Sequence, residues 1–107
     1  MGGSILGAKS IYSFLNHKIK KKFDFIDNLS FKKRDVNPKC LNLIISKSGN
    51  TLETIANSNI IINNKKNNIF ITENKESYLM LLAKKLKAEI IHHNNYIGGR
   101  YSVLSEV

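Results

Sequence analysis

From residue 40 to residue 93 the chain alternates between strand-like apolar runs and helical apolar stripes, and this constrains its fold more than any other feature. Residues 40–46, "CLNLIIS", are apolar almost throughout, as strands covered on both faces tend to be. Residues 51–64 read as a helix with Leu52, Ile55, Ala56 and Ile60 inward. A strand pattern returns at 67–72, "NNIFIT". Leu79, Leu82, Ala83 and Leu86 then mark a helix over 76–86, and "AEIIHH" at 88–93 reads as a further strand. Parallel strands need a crossover of helix length, so this order predicts a parallel sheet with helices on both faces. Upstream, Ile5, Ala8, Tyr12 and Leu15 share a helical face with Ser4 as its N-cap, and "KFDFID" at 22–27 reads as a strand. "YSVLSEV" at 101–107 begins a last helix. Ligands of such sheets bind beyond the carboxyl ends of the strands.

At 107 residues the chain is one domain with a modest core. Its +9 charge raises nucleic acid as a partner. Nearly all of that charge is Lys, with only Arg34 and Arg100 for bidentate base contacts, so we expect no nucleic-acid role. The densest basic run, 18–22, reads as a solvated helix end. No apolar stretch approaches the roughly 20 residues of a membrane span, and no signal peptide is evident, so we expect no membrane partner. Cys40 is the only cysteine, which leaves neither a disulfide framework nor a thiolate metal cluster. We expect a cytoplasmic protein without metal or cofactor.

Three loops carry the candidate chemistry. In "SKSGNT", 46–51, three hydroxyls and a Lys stand where a strand gives way to a helix. Unpaired N–H groups at a helix start attract anions, Gly49 permits close approach, and Ser46, Ser48 and Thr51 can donate to phosphate oxygens. The Walker pattern is absent, which argues against a nucleotide triphosphate. The same residue types also make a plain N-cap, and both readings stand at this point. A second loop, "MGGS", leads into the first helix with Gly2, Gly3 and Ser4. A third, "IGGRYS", follows the last strand and contains Arg100, suited to stabilising developing negative charge.

Together, "GGSILG", "ISKSGNTLET" and "IGGRYSVLSEV" resemble the glucose-6-phosphate isomerase family, in that family's order and over essentially the whole chain. The resemblance implies a sugar isomerase (SIS) domain: a three-layer α/β/α sandwich around a parallel sheet. It implies glucose 6-phosphate and fructose 6-phosphate as ligands. On this pattern Gly3, Ser4, Ser46, Lys47, Ser48 and Thr51 hold the sugar phosphate. Arg100 stabilises the enediolate formed as a proton moves between C2 and C1. Glu53 lies near the sugar, or simply complements the helix dipole. The family works as a homodimer.

The chain also departs from the pattern. The family's catalytic base lies in a later segment, so we expect residues 1–107 to be a partial SIS domain, inactive alone. A central strand that precedes "GGS" in the family is missing here. His17, His92 and His93 are read as structural or solvent-exposed. The rival reading is a non-catalytic phosphosugar-binding SIS module; "IGGRYS" favours the isomerase.

Overall fold

The computed structural model of the chain describes residues 4–29, 37, 39–62 and 67–98. Their elements run α1 (Ser4–Leu15), β1 (Asn42–Ile45), α2 (Leu52–Ile61), β2 (Asn68–Glu73), α3 (Tyr78–Leu86) and β3 (Glu89–His93). The strands pair in the order β1-β2-β3, and both pairings are parallel. The α/β class and the parallel sheet are as the alternating pattern predicts. The expected strands and helices at 40–46, 51–64, 67–72, 76–86 and 88–93 are all present, shifted or trimmed at their ends.

Register decides which side chains meet. Ile44, Phe70 and Ile90 stand side by side across the strands and so share a face. Leu79 and Ala83 of α3 close over it, with Ile55 of α2 and with Leu82 and Leu86 packed alongside. Phe70, Leu79 and Ala83 are wholly buried. The opposite face carries Leu43, Ile45, Ile69, Ile71 and Ile91, where Ile71 is buried but Leu43 and Ile91 are exposed.

Three expectations fail. Leu52 is exposed rather than inward, and α2 buries Thr54, Asn57 and Ser58 instead. β1 is not covered on both faces: Leu43 is exposed on the face opposite Ile44, and so is Leu41 just before the strand; β1 is also an edge that pairs only with β2 among the described residues. An unbroken apolar run does not distinguish an edge strand from a central one. The strand expected at 22–27 is also absent. Phe23 and Phe25 instead set their rings against Tyr12 of α1, with centroids 5.2 and 5.7 Å away. Asp27 accepts a hydrogen bond from Lys9 Nζ, and the Asn28 carbonyl accepts one from Asn57 Nδ2 of α2 at 3.1 Å. The alternation in "KFDFID" thus serves packing on a helix. A strand requires a neighbouring backbone to pair with, and none of β1 to β3 takes this segment.

α3 is well terminated. Ser77 is extended and its hydroxyl accepts from Met80 N, a side-chain N-cap. Lys87 ends the helix in the left-handed region, at φ 52°. Lys87 N then donates to Lys84 O and Ala88 N to Ala83 O, a Schellman-type closure. The basic run follows the end of α1, with Lys18, Lys20, Lys21 and Lys22 exposed. The helix expected from 101, and the expected loops at 2–3 and 99–100, lie outside the described residues.

Candidate functional site

Residues 46–51 leave β1 and enter α2, and their backbone is fastened to both β2 and α3. Ser46 N donates to Ile71 O at 3.0 Å, continuing the parallel ladder one step past β1. The Lys47 carbonyl accepts from Glu73 N at 3.1 Å and from Thr72 Oγ1 at 3.2 Å. Gly49 then turns the chain at φ +67°, which a side chain disfavours. A Cβ there would lie 2.1 Å from Ser77 Oγ and 2.9 Å from Thr72 Oγ1, so the loop also needs the space.

The first turn of α3 is spent on this loop. Leu79 N donates to Gly49 O at 3.1 Å, and Tyr78 N donates to Asn50 Oδ1 at 3.0 Å. Met80 N is taken by Ser77. These N–H groups, normally orphaned at a helix start, hold the loop in place.

α2 begins differently. Thr51 occupies its N-cap position in extended conformation but makes no side-chain cap bond. Its hydroxyl lies 2.9 Å from Ser46 Oγ instead. Ser48 Oγ accepts from Asn50 N at 3.2 Å and remains exposed. The plain N-cap reading therefore fails for Thr51. The head of α2 keeps its partial positive charge beside a cluster of hydroxyls, the arrangement that suits an anion.

Of the predicted site residues, the structure brings Ser46, Lys47, Ser48 and Thr51 together in one loop, and Glu53 stands exposed in the first turn of α2. Ser4 opens α1. Gly3 and Arg100 lie outside the described residues. Lys47 Nζ is 3.6 Å from Glu73 Oε1, and its stem runs along Gly98. Sequence reasoning missed the roles of Asn50, Thr72, Glu73 and Ser77. The rule that sites gather at strand carboxyl ends could have found Thr72 and Glu73, the last residues of β2. His17 and His92 are exposed; His93 is buried, with Nδ1 at 2.6 Å from Asn94 O. Among the described residues, no cluster of His, Cys, Asp or Glu could hold a metal ion, and no helix is long and apolar enough to cross a membrane.

No protein-family model matches the chain. Individual proteins do. It is 33% identical to glucose-6-phosphate isomerase of Borrelia garinii subsp. bavariensis, with all of this chain and 24% of that protein aligned. Against glucose-6-phosphate isomerase of Methanocaldococcus jannaschii it is 36% identical, again over all of this chain and over 29% of that protein. Among solved structures, the crystal structure of hypothetical protein TT0462 from Thermus thermophilus matches with a TM-score of 0.83 and 27% identity, covering 98% of this chain and 29% of that one. The chain spans about a quarter of the length of the curated relatives it matches. Over that quarter, the chain is similar in sequence to glucose-6-phosphate isomerases.

Proposed function

We propose that this chain is the sugar-phosphate-binding part of a glucose-6-phosphate isomerase. The observation that carries the reading is the Thr51 hydroxyl, which leaves α2 uncapped and joins Ser46 at the mouth of the loop. The phosphate of glucose 6-phosphate or fructose 6-phosphate sits at the head of α2 and accepts from backbone N–H groups and from the hydroxyls of Ser46, Ser48 and Thr51. Ser4 and Gly3 are assigned to the same phosphate. Glu53 faces the sugar, and Arg100 stabilises the enediolate. The same reading carries a homodimer and a cytoplasmic setting. The 107 residues alone are expected to bind and not to turn over.

The test is an amide nitrogen–proton NMR titration of the chain with glucose 6-phosphate. Resonances of residues 46–54 are expected to shift, and the S46A/S48A double variant is expected to lose the response. A dispersed spectrum with no shift, or unchanged affinity in the double variant, would overturn the assignment.

A further inference from the structure

Lys47 was expected to add positive charge to the phosphate loop, and its ammonium faces a carboxylate at the end of β2. Its ammonium lies 3.6 Å from Glu73 Oε1, and the Glu73 side chain is only 16% exposed. A Cβ built on Gly98 would stand 3.1 Å from Lys47 Nζ and 3.2 Å from its Cδ, so the Lys47 stem lies flat against Gly98. The backbones reinforce the pairing, since Glu73 N and Thr72 Oγ1 both donate to the Lys47 carbonyl. Residue 47 is thus tied to the end of β2 through main chain and side chain together. A carboxylate so largely shielded from water interacts with its counter-charge more strongly than an exposed one.

We propose that Glu73 is a positioning residue that sets the anion affinity of the loop: it holds the Lys47 ammonium beside Gly98, at the end of β2. The anion is then met by dipoles and hydroxyls, and Lys47 contributes its charge only by leaving Glu73. A side chain at Gly98 would press on the Lys47 stem, which would have to shift by a few tenths of an ångström. The device links the loop after β1, the end of β2 and the loop after β3 through one side chain. This inference rests on the sugar-phosphate reading above, and its test separates the two.

The full 107-residue chain and the variants E73Q, K47M and K47M/E73Q are titrated with inorganic phosphate and with glucose 6-phosphate, following the amides of residues 46–54. E73Q is expected to bind phosphate several-fold more tightly than the wild type, and the double variant is expected to lose that gain. Unchanged or weaker binding in E73Q overturns the proposal. A gain that persists in the double variant also overturns it, because Glu73 would then act by direct repulsion. If the wild type answers neither ligand, the sugar-phosphate reading falls. The positioning role is then judged on ligand-free spectra: E73Q must move the Gly98 amide resonance in the direction K47M does, and an unmoved resonance refutes it. K47R, which keeps the charge, is expected to hold Gly98 near its wild-type position.

Discussion

Gly49 answers for two demands at once, a left-handed backbone and a space filled by Ser77 and Thr72. Changing Gly49→Ala meets both the conformational cost and the overlap, which together come to about 3 kcal/mol. A urea melt is expected to show that loss, and a midpoint equal to wild type would contradict the geometry. Asp27 makes a second prediction at this scale. The hydrogen bond from Lys9, ahead of the neighbouring positive charge, holds its carboxyl below the ordinary 3.8, while desolvation works in the other direction. A lowered folded-state value means the pair stabilises the fold above pH 3.8, and that contribution disappears as pH falls through the lowered value. The stability difference between wild type and Lys9→Met is therefore expected at neutral pH and absent in strong acid; a difference independent of pH would refute the pairing. The hydroxyls of Ser46, Ser48 and Thr51 were legible in the sequence as candidates. The groups that fasten the loop at Lys47 and Gly49 were not, because Thr72, Ser77 and Leu79 lie more than twenty residues along the chain.

Helix α3 was readable because its apolar stripe, with Leu79 and Ala83, is the face it buries, whereas α2 was found in place but buries Thr54, Asn57 and Ser58 and leaves Leu52 exposed. The segment 22–27 was misread for a related reason. Alternating Phe and Asp satisfies a strand pattern, but pattern alone does not supply a neighbour, and Tyr12 on α1 took the rings. The end of α3 at Leu86 is where the sequence pattern put it, but its left-handed cap was not anticipated, since Lys is an uncommon choice there. Lys87 at φ 52° carries the steric cost a β-carbon brings to that region. Lys87→Gly is expected to stabilise the chain by about 0.5–1 kcal/mol, read as a raised thermal midpoint. A lowered midpoint would mean the Lys87 side chain contributes more than its backbone strain removes.

Across the whole molecule, the site belongs to the ends of all three strands and to the starts of two helices that behave differently. α3 spends its first N–H groups on Gly49, Asn50 and Ser77, whereas α2 receives no side-chain cap from Thr51. Sequence could place both helices at this end of the sheet. It could not divide their labour, which depends on a glycine turn and a register set between residues far apart. The edge formed by β1 has a separate consequence, for colloidal behaviour. Beside the exposed Leu41 and Leu43, β1 is paired on one side alone among the described residues, which is the template another copy needs to add a strand. What opposes the encounter is the +9 charge, whose repulsion reaches only about 8–10 Å at physiological salt and about 3 Å at 1 M. Light scattering is expected to rise with added sodium chloride and to fall back when Leu43→Lys places a charge on that edge. A solution equally dispersed at every salt concentration would mean that the edge is closed in solution. The charge that first suggested a nucleic-acid partner then has a plainer role, keeping copies of an open-edged sheet apart.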